Sequence, residues 1–465
     1  MTRRNLPLNR RQFHAAALAS GAALAACAPL LAAAQEKAPL LAGAAETVVT
    51  PAAKGTFLIG PMQPSTGVND DLYARALVLS DGRQRIAIIT LDYLGFDFAY
   101  TETLLAAASK ASGIPANCIM LNCSHTHSAP LTAPWGPWKE HRGKPYHKLL
   151  PERIAEVVLR ATKQLQTAQL RYRREPTQVG FNRRFFNGEK IVMAPNPQGA
   201  VLPWVDVLSV ERPDGKPIAV LFSHAAHPVI VHEASTLISA DYPGFAVQSL
   251  KHARDKDTVF LFAQGCCGNI NGFPLKGGID AAAAAGRDLG QAVERALDRM
   301  EGENASKSLR VHSSELRLPL QNPPSAKECR SMMEKEKAVD RRQRFAELLA
   351  IAESGQTPTM RMPIRAFAIG DLCVLGMAHE PFAEYHRHVN EICPFAQNMV
   401  LGYTNGLECY VGTKKDYQLG DQGGYETSPR GAAFMFESRL PLAENCEALI
   451  QRALCQTMDA LGHNR

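Results

Sequence analysis

Four apolar runs in this chain each end in a histidine, glutamate or tyrosine and then turn, a recurrence that narrows the folds open to it. The first is Cys118-Ile-Met-Leu-Asn-Cys-Ser-His-Thr-His-Ser-Ala-Pro130. Leu221-Phe-Ser-His-Ala-Ala-His-Pro-Val-Ile-Val231 follows, with histidines at 224 and 227. Leu372-Cys-Val-Leu-Gly-Met-Ala-His-Glu-Pro-Phe382 delivers His379 and Glu380 just before a proline. The last is Gly402-Tyr-Thr-Asn-Gly-Leu-Glu-Cys-Tyr410, continued by Gln422-Gly-Gly-Tyr-Glu426. Each reads as strand, polar group, turn, and open α/β sheets place ligands at the carboxyl ends of their strands. Side chains two apart on an extended strand share a face, so His125 and His127 can aim two imidazoles at one point. Neutral imidazole is the commonest zinc ligand, which makes this pair the strongest chemical lead. Such pairs also occur as loop or packing histidines, and a buried glutamate is more often a salt-bridge partner than a ligand. Several strand ends carrying His, His, Glu and Tyr point to a common site.

The remaining pattern frames that site. Residues 85–91 form a buried-strand run, and 100–111, 151–165, 242–253 and 281–297 have helical spacing. Residues 325–354 are charged and helical, expected as a solvated hairpin beside the core. Short pieces at 168–181 and 307–320 look hairpin-like and argue for a mixed rather than a purely parallel sheet. Strands alternating with helices, without internal repeat or low-complexity linker, predict an α/β fold: a layered mixed β-sheet core flanked by helices, in one domain over residues 45–465.

With 465 residues, 46% of them hydrophobic, the chain can bury a large core. Its net charge of +6 owes much to Arg3, Arg4, Arg10 and Arg11. No other segment interleaves basic and aromatic residues as a single-strand nucleic-acid surface does, so no nucleic-acid partner is expected. Asn9-Arg-Arg-Gln-Phe13 followed by the alanine-dominated run 15–31 resembles a twin-arginine export signal, with the translocation machinery as its partner. Residues 1–34 are read as that signal. Ala32-Ala-Ala34 suits signal-peptidase cleavage; Leu24-Ala-Ala-Cys27 instead resembles a lipobox whose cysteine would anchor the protein to the membrane. Either exit places it outside a bacterial cytoplasm, periplasmic or held as a lipoprotein. Eleven cysteines less Cys27 leave an even number, which fits an oxidising compartment. Cys266 and Cys267 are adjacent and poorly placed to bond each other, while Cys123 and Cys373 lie in apolar runs and read as buried thiols.

A wider set of stretches resembles the neutral ceramidases, zinc amidases with a distinctive N-terminal catalytic domain. They are Gly67-Val-Asn-Asp-Asp-Leu-Tyr-Ala-Arg-Ala-Leu-Val, Thr90-Leu-Asp92, Ser124-His-Thr-His-Ser128, Phe181-Asn-Arg183, Ala226-His-Pro228, Leu237-Ile-Ser-Ala-Asp241, Glu380-Pro, Tyr410 and Gly424-Tyr-Glu426. They occur in family order over residues 45–440. The resemblance implies zinc bound by His125, His227, Glu380 and Tyr410, with His127 beside the metal rather than on it. It implies further that Arg183 and Tyr425 line the site against the scissile group, and it assigns no role to His224 or His379, read here as either supports behind the ligands or structural. The implied reaction is attack of a zinc-activated water on the amide of an N-acyl, ceramide-like lipid, with His127 passing a proton to the leaving amine.

Two departures stand out. Where the family carries Gly-Asp-Val-Ser, this chain has Gly268-Asn-Ile-Asn271. Asn271 can donate a hydrogen bond to an oxyanion but cannot act as a nucleophile. The chain also stops too soon after Tyr425 for the immunoglobulin-like domain of the larger members. Rival readings are an exported hydrolase of another amide or ester, a thiol hydrolase using Cys267, and a non-catalytic, metal-stabilised surface lipoprotein.

Overall fold

The computed structural model describes residues 39–132, 144–302, 308–356, 358–434, 436 and 439–462. Arg10, Arg11, Cys27 and Ala34 of the expected export signal lie outside these residues. The unit from Pro39 onward opens with the strand Leu41–Val48, ahead of the expected start at residue 45.

Three sheets carry the architecture, and each is antiparallel except for one parallel pair. In the five-stranded sheet, Arg85–Leu91 runs parallel to Ile119–Cys123. In the second sheet Pro217–His224 runs parallel to Val259–Gln264, and in the third Leu372–Met377 runs parallel to Gln397–Leu401. A parallel pair needs a long crossover, usually a helix. Phe98–Ser112, Asp241–Ala253 and Ala383–Ile392 supply the three helices. The first shows how sequence sets such an element: Asp97 caps it by accepting from the Tyr100 amide at 2.7 Å, and Gly113 ends it at φ +72°. The expected α/β layered fold with mixed sheets is what forms.

Strand composition follows burial. Arg85–Leu91, Pro217–His224 and Leu372–Met377 are buried almost throughout and read as continuous apolar runs. Leu309–Pro319 is mostly half-buried, with only three exposed positions, and pairs along its length with Thr359–Ile369. The expected local hairpins are therefore not what forms. Gln169–Pro176 pairs with Trp204–Glu211, Gly180–Asn182 with Ile270–Gly272, and Leu309–Pro319 with a strand beyond the helices Ala326–Lys335 and Val339–Ser354. That helical pair, expected from its charge pattern, is an insertion between two paired strands. Alanines and glycines let helices sit close: Gly286 of Ile279–Asp298 meets the backbone of Asp241–Ala253, where a Cβ would come within 2.7 Å of the Tyr242 carbonyl.

Two buried amides bind the carboxyl ends of the three parallel pairs together. Asn122 donates to the carbonyls of Gln264 (3.2 Å) and Gly402 (2.8 Å), one on each of the other two sheets. It also accepts from the Gln264 amide at 2.8 Å. Gln264 in turn donates to the carbonyls of Ser124 and Ala226 at 2.9 and 3.0 Å. These bonds bring the loops after residues 123, 224, 264, 377 and 401 to one place. The cysteines from Cys118 on are free thiols, most of them buried. No described helix is long and apolar enough to cross a membrane.

Candidate active site

The loops so gathered hold His125, His127, His227, Asn271, Glu380 and Tyr410, while Arg183 comes from the segment after Gly180–Asn182 and Tyr425 from the short helix Gly424–Thr427. His125 and His127 follow the first parallel pair, and His227 follows the second. Glu380 and Tyr410 stand directly opposite each other in a short parallel pairing beyond the third. The ring nitrogens of His125, His127 and His227 come within 4.8 Å of one another. The His227 Nε2 lies 3.0 Å from a Glu380 carboxylate oxygen, and the His125 Nε2 lies 3.5 Å from the same oxygen. His125, His227 and Glu380 are fully buried, while His127 is partly exposed.

The wiring behind these side chains decides what they can bind. His125 Nδ1 meets the Leu94 carbonyl at 2.6 Å; His227 Nδ1 meets the carbonyls of Cys267 and Ile270 at 2.8 and 3.0 Å. A carbonyl only accepts, so each Nδ1 carries the proton and each neutral ring presents an Nε2 lone pair. Burial keeps the rings neutral, lowering His125 to about 4 and His227 well below the ordinary imidazole value. Two lone pairs thus converge on a carboxylate. Acceptor facing acceptor in a dry site is unfavourable unless a cation lies among them. The unpartnered atoms agree: His125 Nε2, His127 Nε2 and the other Glu380 oxygen are buried with no hydrogen bond among the described residues. The donor set therefore fits a divalent transition metal such as zinc.

Neighbouring side chains shape the rest. Arg183 Nε bonds Glu426 at 2.7 Å and its Nη1 bonds the Asn271 carbonyl oxygen at 2.8 Å, leaving a buried Nη2 unpartnered. With its oxygen so held, the Asn271 amide presents its NH₂ away from Arg183. Arg184 bonds the other Glu426 oxygen at 2.5 Å and Asp416 at 2.9 Å. The Arg183 guanidinium lies 5.5 Å from the Tyr410 ring centre, and Tyr425, 41% exposed, packs edge-on against Tyr410 at 5.8 Å. Burial holds the Tyr410 phenol well above its ordinary value. Gly268 lets the turn close: a Cβ there would stand 2.4 Å from the Glu380 carbonyl.

Other singled-out residues have different fates. His224 is satisfied on both nitrogens, by the Trp204 carbonyl at 2.7 Å and the Val179 amide at 3.2 Å. His379 is likewise held by the Arg361 carbonyl at 2.6 Å and the Glu408 amide at 3.1 Å. Of the two roles expected for them, these backbone bonds fit the structural one. Cys267 is buried, its thiol pushed up by desolvation and donating to Tyr403 at 3.2 Å. A buried, protonated thiol is a poor nucleophile, which argues against the thiol-hydrolase reading.

Three neighbours escaped the sequence reading. His232 stacks on His127 with ring centres 5.3 Å apart, Tyr403 reaches Glu380 at 3.3 Å, and Glu426 bridges two arginines. Tyr403 adjoins Gly402 and His232 lies one residue past an apolar run, so proximity to a strand end was the available signal. Backbone strain gathers here as well: His125, His379 and Tyr403 have φ of +67°, +69° and +50°. Such conformations cluster where surrounding structure over-determines them.

Comparisons with known proteins agree with this geometry. The profile described as neutral/alkaline non-lysosomal ceramidase, N-terminal, matches residues 41–274. The neutral ceramidase from Pseudomonas aeruginosa superposes with a TM-score of 0.70 at 21% identity, over 92% of this chain and 75% of that one. A structure described as ceramidase complexed with C2 superposes with a TM-score of 0.70 at 18% identity, over 92% of this chain and 76% of that one. Among curated protein sequences none matches. At these identities the structural likeness speaks for the fold, and the profile, spanning half the chain, speaks for descent. The chain belongs to the neutral/alkaline non-lysosomal ceramidase family.

Proposed function

We propose that this protein is a zinc-dependent amidohydrolase that cleaves the N-acyl bond of a ceramide-like lipid, with His125, His227, Glu380 and Tyr410 holding the metal. One observation carries the metal reading: the buried Nε2 atoms of His125 and His227 face the same Glu380 oxygen, with both Nδ1 atoms tied to carbonyls. Family membership supports the amide-hydrolysing reading, and the likeness to structures of ceramidases favours a fatty-acyl sphingoid amide.

A zinc ion in this set would make water acidic near neutral pH and polarise the scissile carbonyl. The chain's own residues divide the remaining work. Among the described residues His127 lacks a carbonyl like those that fix the Nδ1 proton of His125 and His227. Burial, with the neighbouring imidazoles and Arg183, keeps its ring neutral, lowering it well below the ordinary imidazole value. It is suited to accept a proton only transiently, from the attacking water, and hand it to the leaving amine. Its partial exposure fits a group facing the substrate. The unpartnered Arg183 Nη2 and the Asn271 NH₂ are donors suited to a developing oxyanion. Tyr425, exposed at the rim, is suited to contact the substrate.

The test is turnover by purified, zinc-loaded protein on a panel of N-acyl sphingoid lipids, other N-acyl lipids, peptides and esters, with and without a chelator. Chelator-sensitive release of fatty acid from an N-acyl sphingoid base is the expected result. Cleavage confined to esters or other amides would redirect the substrate, and no turnover on any member would leave a metal-stabilised binding protein.

Export is part of the same proposal. Arg10 and Arg11 form the paired core of the signal, so replacing both with lysine should strand the protein in the cytoplasm. Cys27→Ser should release it from the membrane fraction if that residue is lipidated. An unchanged distribution would favour cleavage near Ala34.

A further inference from the structure

We propose that Tyr403 is a positioning residue of the metal site: its hydroxyl, supported by the Cys267 thiol, donates to Glu380 and orients that carboxylate toward the metal. This rests on the reading of His125, His227 and Glu380 as ligands.

The placement of Tyr403 is the first observation. Its backbone joins two ligand-bearing segments, accepting from the Cys123 amide at 3.2 Å and donating to the His379 carbonyl at 2.9 Å. Its φ of +50° is uncommon for a bulky residue. The ring is 2% exposed, with its centre 4.5 Å from that of His125 and 5.9 Å from that of His227. A strained backbone therefore carries the phenol to the back of the histidine–glutamate cluster.

Hydrogen-bond direction is the second. The Cys267 thiol donates to the Tyr403 oxygen at 3.2 Å, and the Tyr403 oxygen lies 3.3 Å from Glu380. A phenol has one proton to give. With its oxygen already receiving from sulfur, that proton goes to the carboxylate, on the oxygen that faces both histidines. The bond runs one way, from thiol to phenol to carboxylate. It favours the charged form of Glu380 against a burial that disfavours it.

The contrast with other buried tyrosines separates this from a merely satisfied phenol. Tyr242 and Tyr385 donate to backbone carbonyls, those of Ala226 at 2.6 Å and Gly412 at 2.8 Å. Tyr403 donates instead to a proposed ligand. Groups that hydrogen-bond a ligating carboxylate tune the metal, and their loss typically weakens binding about 10–100-fold.

The test measures zinc affinity by competition with a chromophoric chelator for the wild type, Tyr403→Phe, Cys267→Ala and the control Tyr385→Phe, together with the visible spectrum of each cobalt-substituted protein. Tyr403→Phe is expected to weaken zinc about 10–100-fold and shift the cobalt bands. Cys267→Ala should move both in the same direction by less, and Tyr385→Phe should move neither. A Tyr403→Phe protein with wild-type zinc affinity and an unaltered cobalt spectrum would overturn the proposal. If Tyr403→Phe does not fold, Cys267→Ala decides, and an unchanged affinity there overturns it equally. A wild type that takes up no zinc defeats the underlying metal reading instead.

Discussion

Two pairs of buried histidines sit at strand ends and differ in what faces their second nitrogen. His224 and His379 each meet a carbonyl on one nitrogen and a backbone amide on the other. His125 and His227 meet carbonyls on Nδ1, yet their Nε2 atoms point at a carboxylate. Burial is equal and sequence context nearly so: His224 and His227 lie in one segment, and His379 adjoins Glu380. A histidine with one donor and one acceptor is complete, whereas one whose neighbours are all acceptors is complete only with a further proton or a metal ion between them. Ligand and scaffold are thus told apart by hydrogen-bond polarity rather than by depth.

The comparison can be broken most severely at His127, which has neither arrangement. His127→Ala should retain zinc and lose about 10²–10⁴-fold in turnover if it carries the proton. Zinc content measured beside kcat decides the matter, since a variant that loses its metal would move His127 into the ligand set.

Removing a structural histidine should do the opposite. His224→Leu leaves the Trp204 carbonyl and the Val179 amide without partners, which costs about 2–4 kcal/mol. A urea titration should register that loss while zinc stays bound. Unchanged stability would mean that the two pairs do not differ as described.

Acid sharpens the same contrast. Burial lowers both His224 and His379 from 6.5 to about 4. Below about 6.5 the unfolded chain takes up protons that the native rings refuse, so stability falls as pH drops and flattens near 4. The shift amounts to about 3 kcal/mol for each ring. Stability followed by denaturant between pH 7 and 4 should fall accordingly, and His224→Leu should remove about half of the slope due to these two rings. The smallest effect belongs to Asn271→Ala, on the order of 10-fold in kcat. That is below the loss of a dominant oxyanion donor, because Arg183 Nη2 remains.

Much of this was legible in the chain itself. Continuous apolar runs predicted the buried strands, and helical spacing predicted two of the three crossover helices, Phe98–Ser112 and Asp241–Ala253, within a few residues of where they form; the third, Ala383–Ile392, was not expected. The polar group after each run predicted which strand ends would meet. What stayed hidden depends on partners distant along the chain. Leu309–Pro319 seemed a local hairpin because its true partner lies beyond a helical insertion. Asn122 and Gln264, which tie the sheets together, look like ordinary polar residues closing apolar strands. Tyr403 carries no signal beyond its place beside Gly402, because only the folded chain sets its hydroxyl against Glu380.

The central claim is that acceptors converge on a cation at His125, His227 and Glu380, and the zinc content of purified wild type, His227→Ala and His224→Leu tests it most directly. The account predicts one zinc per chain in the wild type and in His224→Leu, and almost none in His227→Ala. Full zinc in His227→Ala, or a wild type that hydrolyses its substrate without bound metal, would contradict it.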